Sequence, residues 1–157
     1  MKISLLDFIK TGKFGTAELG QTTKWVNDNF AVPDSKTWMK RGTGIWLYGA
    51  LEFHFFDDIL HLIWCDNLSK LNSTEQFILD RSVLERTDNY FPSFCTYLNE
   101  LNIQHEIIED RQPDGILEGS VRVDITGTTV ELFFLEDMDF PADKNKYWLN
   151  GIGSSDF

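Results

Sequence analysis

Apolar and polar positions alternate through residues 44–66 with the two-residue period of a β-strand. The runs "IWLYG", "ALEFHFF" and "ILHLIWC" are rich in aromatic and branched residues, and Gly49 and Asp57-Asp58 separate them. Such residues are typical of tight turns between strands. The pattern therefore predicts three consecutive antiparallel strands.

Each of these strands has two distinct faces because successive side chains point in opposite directions. In the second strand, the predicted faces are Leu51, Phe53 and Phe55 against Glu52, His54 and Phe56. In the third, they are Leu60, Leu62 and Trp64 against Ile59, His61, Ile63 and Cys65.

Helical spacing of apolar residues occurs in three short segments. Residues 3–10, "ISLLDFIK", predict an N-terminal helix, and "GQTTKWVNDNF" predicts a second helix with Thr22 as its N-cap. In "FPSFCTYLNELNI", Pro92 fits the first turn of a third helix. Residues 33–43 carry Lys36, Lys40 and Arg41 and are interpreted as a mobile loop.

Further strands are predicted in the second half of the chain. "QFILDRSVLERTD" fits a strand or a helix, and we favour a strand around Phe77 to Asp80. "QHEIIED", "SVRVDI" and "TVELFFL" predict three more, with Thr126-Gly127 as a hairpin turn. The fold class predicted is α+β: one domain over 1–157, with short helices packed on an antiparallel sheet of about six strands.

The two halves of the chain have similar patterns. "LEFHF" at 51–55 aligns with "VELFF" at 130–134, and each follows a glycine turn and an upstream helix. Two α-β-β-β halves, at about 20–66 and 88–136, would explain this. Any two antiparallel hairpins share such alternation, so a true repeat and a chance likeness both stay open.

Length and composition are typical of an ordinary globular domain. A chain of 157 residues buries roughly 70% of its unfolded surface. The start of the chain lacks the pattern of a signal peptide, and no apolar run approaches the roughly eighteen residues of a membrane span. Cys65 and Cys95 lie thirty residues apart in apolar surroundings, which favours reduced thiols in a cytoplasmic protein.

The net charge of −11 is concentrated in the C-terminal half. Residues 1–78 carry eight Lys/Arg against nine Asp/Glu, and residues 79–157 carry six against sixteen. This field would repel nucleic acid and would speed association with a basic protein. It would equally serve solubility alone.

Candidate catalytic chemistry is sparse in the sequence. His54 and His61 fall on neighbouring strands and could face each other, with Asp57 or Asp58 as further metal ligands. The aspartates, however, would lie roughly 10 Å along the strand from that pair. Neither GxSxG nor a phosphate-binding glycine motif occurs, and apolar surroundings should raise the pKa of both thiols. We therefore expect no catalytic residue, cofactor or metal, with a metal-dependent hydrolase as the less favoured alternative.

Two acidic segments contain apolar side chains between their charges. "EIIEDRQPDGILEG" surrounds a Pro-Asp-Gly turn, and "LEDMDFPAD" follows the last predicted strand. Charges that flank apolar anchors are typical of protein interfaces, although solvated loops also have this composition. The candidate partner-binding residues are Glu106, Glu109, Asp110, Asp114, Glu118, Glu136, Asp137, Asp139, Phe140, Tyr147 and Trp148.

Residues 14–66 resemble a group of small bacterial immunity proteins of polymorphic toxin systems, including those of contact-dependent growth inhibition. The resemblance rests on "FGTAELGQTTKWVNDNFAVPD" and "IWLYGALEFHFFDDILHLIWCD", and Tyr48-Gly49 to Phe55 is its most specific part. Where the family pattern has Leu-Gly-x-Pro after the helix, this chain has "FAVP" at 30–33. The C-terminal half is outside the match.

The resemblance implies a protein that is not an enzyme and that binds and neutralises a cognate toxin domain made by the same cell. Such toxins are often nucleases, either RNases or DNases, which present a basic surface to nucleic acid. An acidic inhibitor would complement that surface. A general acidic adaptor that binds several partners is the alternative, and neither function requires direct contact with nucleic acid or a membrane.

Overall fold

The computed structural model describes residues 1–109 and 119–156. The helices in these ranges are short: α1 (Leu5–Thr11), α2 (Thr23–Asn29), α3 (Ser82–Thr87) and α4 (Phe91–Glu100), with a 3₁₀ turn at Lys144–Lys146. The strands are β1 (Lys2–Ser4), β2 (Ser35–Lys40), β3 (Thr43–Tyr48), β4 (Leu51–Phe56), β5 (Ile59–Cys65), β6 (Ile78–Asp80), β7 (His105–Ile108), β8 (Ser120–Ile125), β9 (Val130–Leu135) and β10 (Trp148–Ser155). None of the described helices is long and apolar enough to cross a membrane.

One large antiparallel sheet dominates the molecule and confirms the predicted α+β class. Its eight described strands follow the order β2-β3-β4-β5-β10-β9-β8-β7, and β1 and β6 form a separate parallel pair. Each half of the chain contributes four consecutive strands. The two halves meet where β5 pairs antiparallel with β10 at the centre of the sheet.

The strand order makes the two halves topologically equivalent. β4 and β9, which carry the aligned "LEFHF" and "VELFF", are each the third strand of a half. The residue before α2, Thr22, bridges Ile59 at the start of β5, and the residue before α4, Tyr90, bridges Trp148 at the start of β10. Each half is therefore a helix followed by four strands. Whether the halves arose by duplication stays a prediction.

The helix starts follow local sequence rules. The Thr22 hydroxyl accepts a hydrogen bond from the Trp25 backbone N–H, as expected of an N-cap, and a proline occupies the first turn of α4. The first helix begins two residues later than predicted because residues 2–4 form β1, and the Ser4 hydroxyl caps α1. The favoured strand at 77–80 is confirmed as β6, and α3 follows it.

A single core lies between the helices and one face of the sheet. The ring of Phe30, after α2, packs 5.2 Å from Phe53 on β4, and Phe94 on α4 packs 5.7 Å from Phe134 on β9. The inward face of β4 is Leu51, Phe53 and Phe55, as predicted, and all three are buried. All described helices therefore pack on the same side of the sheet.

The prediction of a mobile loop at 33–43 is wrong. Residues 35–40 form β2, an edge strand paired with β3, and every side chain in it is exposed. Its sequence lacks the alternation of apolar and polar residues that predicts a strand, because neither face of an edge strand needs to be apolar. Lys36 is held 3.9 Å above the Trp46 ring, which gives the basic patch a fixed position on the sheet.

β5 departs from the predicted regular alternation. The register shifts between His54 and Phe55 of β4, so Phe55 pairs with Leu60 and Phe53 pairs with Ile63. This bulge places Leu60 on the buried face together with Ile63 and Cys65, although the sequence placed it opposite them. One extra residue at a bulge reverses the faces beyond it.

The sequence did not predict β10, which together with β2 raises the sheet from about six strands to eight. "WLNGIGSS" contains two glycines and two serines, a composition typical of loops. Both glycines lie beneath the Trp64 ring: a Cβ atom at Gly153 would be 2.5 Å from Trp64 Cε3, and one at Gly151 would be 3.1 Å from Cη2. The central strand therefore has no side chain at the points where the indole crosses it.

Replacing Gly153 with alanine should destabilise the protein by about 1–3 kcal/mol, since the added methyl group forces the indole or the strand to move. Chemical denaturation monitored by circular dichroism would measure the change. The control is Ser155→Ala, a small-residue change in the same strand at a half-buried position. Equal stability of the two variants would contradict the close packing of Trp64 on β10.

Candidate functional site

The two predicted acidic segments meet at one end of the sheet, where β7 and β9 end and β8 and β10 begin. Glu109, after β7, forms an ion pair with Lys144 of the 3₁₀ turn. The Glu136 backbone N–H, after β9, donates to the Gly119 carbonyl at 2.9 Å. We call this surface the acidic end and define it by Glu109 together with residues 136–148. It joins residues that are far apart in sequence.

The loop at the acidic end is folded around its own carboxylates. Asp137 Oδ1 accepts a hydrogen bond from the Asp139 N–H at 2.9 Å, and Glu136 Oε2 accepts one from the Ala142 N–H at 3.2 Å. Asp143 Oδ1 accepts from the Asn145 N–H at 3.0 Å. Short side chains that accept from nearby backbone N–H groups fix turns in this way. These three carboxylates therefore shape the loop as well as charging it.

Large apolar side chains are exposed between these charges. Met138 is 83% exposed, Phe140 50% and Trp148 41%. Lys146 lies 5.5 Å from the centre of the Phe140 ring, so one face of that ring is already occupied by a cation. Exposed Met and aromatic side chains on a fixed backbone are the groups that protein interfaces favour. The arrangement is suited to binding a protein.

The predicted partner-binding residues differ in their accessibility. Glu106, Glu109, Asp139, Phe140 and Trp148 are exposed, and Glu136 and Asp137 are half-buried. Asp110, Asp114 and Glu118 lie outside the described residues.

Tyr147 is a correction to the predicted interface. Its side chain is buried in the main core, and its backbone carbonyl accepts from the Phe91 N–H at 2.9 Å. It therefore anchors the start of β10 to α4 and offers a partner no surface. The sequence placed it at the interface because β10, which turns this side chain inward, was not predicted.

The predicted facing pair of His54 and His61 is also wrong. The bulge places His54 opposite Leu62. His54 Nε2 instead lies 2.7 Å from Glu52 Oε2 on its own strand, and His61 Nδ1 lies 2.7 Å from Asp156 Oδ1. Within residues 1–109 and 119–156, no group of three His, Cys, Asp or Glu side chains is placed to hold a metal ion. The histidine-aspartate arrangement behind the hydrolase alternative is thus not formed.

The two cysteines are free thiols in apolar surroundings. Cys65 is buried and Cys95 is half-buried. Burial raises the pKa of each thiol to about 11. Such thiols are mostly protonated at neutral pH and are therefore weak nucleophiles, as their sequence context predicts.

A polar cavity of about 670 Å³ lies on the helical side of the molecule. Arg81 donates to the Leu68 carbonyl at 2.9 Å and also binds Asn72, which ties the 66–77 linker to the start of α3. The guanidinium therefore has a structural use in holding this linker.

Sequence reasoning found the acidic segments and the apolar side chains between their charges, but it missed the contact between Glu109 and Lys144. Their proximity depends on the way β10 brings the 3₁₀ turn back beside β7, and no local pattern signals this. Comparison with known proteins adds no further assignment: no family model, no curated protein and no solved structure matches this chain.

Proposed function

We propose that this protein is an immunity protein that binds and neutralises a basic toxin domain, a nuclease, in the cytoplasm of the cell that makes both. The observation that carries the proposal is the acidic end, where Met138, Phe140 and Trp148 are exposed between carboxylates on a fixed loop. Apolar anchors supply the affinity of such an interface, and the surrounding charges select the partner.

The negative charge of the C-terminal half favours a basic protein as the partner. Residues 79–157, which include the acidic end, carry sixteen Asp/Glu against six Lys/Arg. A nuclease must present a positive surface to phosphates, and an acidic protein would be attracted to that surface over a distance of about 8–10 Å at physiological salt. Binding there would also exclude the nucleic acid. Inhibition then follows from occupancy and needs no chemical step.

The inward-facing residues in the most specific part of the resemblance to immunity proteins belong to the core and not to the acidic end. Tyr48, Leu51 and Phe53 lie on the inward face of β3 and β4, in the core. The motif thus describes a scaffold, which fits a family whose members keep the fold and vary the binding surface. The acidic end, in the half outside the match, is free to be specific to one toxin.

The test is direct binding of the toxin domain encoded beside this chain's gene. Calorimetry should give a tight one-to-one complex with that domain, and affinity should fall as salt rises from about 50 to 500 mM because charges steer the association. The toxin's nuclease activity should be lost at equimolar protein. Absence of any complex would overturn the proposal.

A panel of toxin domains from unrelated systems separates an immunity protein from a general adaptor. A dedicated inhibitor should bind its own partner at least about a thousandfold more tightly than the others, since specificity is a difference of binding free energies. Similar micromolar affinities across the panel would identify an adaptor and would contradict the proposed role.

A further inference from the structure

The sheet face that the helices leave open has an aromatic centre. The Trp64 indole crosses β10 over Gly153 and Gly151 and meets the Phe133 ring of β9 edge-on, with 5.1 Å between ring centres. Both rings keep part of their surface accessible. They occupy the middle of the sheet, where the two halves of the molecule join.

Carboxylates extend from this centre along one cross-strand row. Glu52 pairs with Trp64, Trp64 with Gly153, and Gly153 with Glu131. The row continues from Glu131 to Asp124 and from Asp124 to Glu106. Directly opposed residues share a face of an antiparallel sheet, and strands lie about 4.8 Å apart. Four carboxylates and one indole therefore span roughly 24 Å of open surface.

Two of these carboxylates pair with one arginine, and a third contacts a histidine. Arg122 binds Asp124 through two hydrogen bonds of 2.6 and 3.0 Å, and its Nη1 lies 3.5 Å from Glu131 Oε1. His54 contacts Glu52 at 2.7 Å. Burial, with Asp124 nearby, raises the pKa of Glu131 despite Arg122, so the charged form of Glu131 is under-stabilised in the free protein.

We infer that the open face is a second part of the toxin-binding surface, on which an arginine or lysine side chain of the toxin domain lies over Trp64 and pairs with Glu131. This inference rests on the proposed function for the identity of the partner. An indole is the best aromatic acceptor for such a cation, and a carboxylate beside it adds a charge-assisted hydrogen bond. A cationic group would add a second positive charge beside Glu131, which Arg122 at 3.5 Å only partly stabilises.

The negative charge of the open face favours a basic toxin domain over a second copy of this chain as its binding partner. Two open faces placed together would bring two acidic rows into contact, and opposed like charges cost several kcal/mol. An uncharged apolar partner would bury Glu131 and the neighbouring carboxylates without adding a cation to the one that Arg122 supplies. A basic protein surface satisfies the indole and the carboxylates together.

The first experiment needs no toxin. N-acetyl-arginine methylamide is titrated into the ¹⁵N-labelled protein, and the indole N–H of Trp64 and the amides of Gly151 and Gly153 are followed by NMR. These signals should shift with a millimolar dissociation constant, and Glu131→Gln, which keeps the shape of the side chain, should weaken the binding about tenfold. N-acetyl-norleucine methylamide is the uncharged control. Absence of shifts, or equal shifts with the control, would overturn the inference.

The second experiment uses the neighbouring toxin domain with Glu131→Gln and Trp64→Phe. Both should bind at least about tenfold more weakly than the parent, while Trp25→Phe on α2 should bind normally. A complex unaffected by both changes would exclude the open face from the toxin interface and leave the proposed function intact. Arginine shifts without any toxin complex would instead support the cation site and contradict the proposed function.

Discussion

Truncating Phe53 to alanine should lower the free energy of unfolding by about 3–5 kcal/mol. Phe53 is fully buried on β4, and its ring lies 5.2 Å from that of Phe30 and 4.9 Å from that of Tyr48. These rings link the sheet to the segment that follows α2. Removing the Phe53 ring would therefore leave a cavity between the sheet and the helices that cover it. Urea denaturation with fluorescence detection would measure the loss.

Phe56→Ala is the matched control because it removes the same ring from the same strand on the opposite face. Phe56 is 46% exposed and contacts Lys40 and His61 at the surface. Its truncation should cost less than about 1 kcal/mol. Equal losses for the two variants would mean that the helices do not define a single buried face of the sheet.

Reversing two charges at the acidic end should weaken binding of the toxin domain by roughly 100-fold, mainly through slower association, since like charges placed together cost several kcal/mol. The variant is Glu109→Lys with Asp139→Lys. Both side chains are exposed, and the variant leaves Asp137 and Asp143, whose carboxylates accept hydrogen bonds from the loop backbone, unchanged. Stopped-flow association at low and high salt would measure the effect, which should shrink as salt rises.

Glu18→Lys with Glu75→Lys is the control for this experiment, since it changes the net charge by the same amount. Glu18 matches Glu109 closely: its side chain is 42% exposed and pairs with Lys13, while that of Glu109 is 43% exposed and pairs with Lys144. Glu18 lies near the start of β5, at the opposite end of the sheet. If both variants lost affinity equally, only net charge would matter and the acidic end would not be the interface.

Local sequence patterns were sufficient where a segment must bury one face. The inward residues of β4 and the Thr22 cap followed directly from alternation and capping chemistry. The same rules failed for β2 and β10. β2 is an exposed edge strand, and β10 uses glycine where other strands use apolar side chains. Both segments form strands because they pair with adjacent strands, β2 with β3 and β10 with β5 and β9.

The sequence predicted which segments form the candidate site, but it did not predict how all of their side chains are oriented. The acidic segments and the exposed Phe140 and Trp148 were visible in the sequence, whereas the inward turn of Tyr147 was not. The separation of His54 from its predicted partner depends on one bulge in β5. A shift of one residue is invisible to periodicity but changes every contact beyond it.

The sequence by itself determined the α+β class, three of the four described α-helices, the central hairpins and the concentration of negative charge, since each depends on residues close together in the chain. Only the tertiary structure decided that β10 joins the two halves and that Glu109 meets Lys144. It also aligned Glu52, Trp64 and Glu131 in one row. Those relations depend on strand order and register, which are fixed when the whole sheet packs against the helices and cannot be read from local alternation.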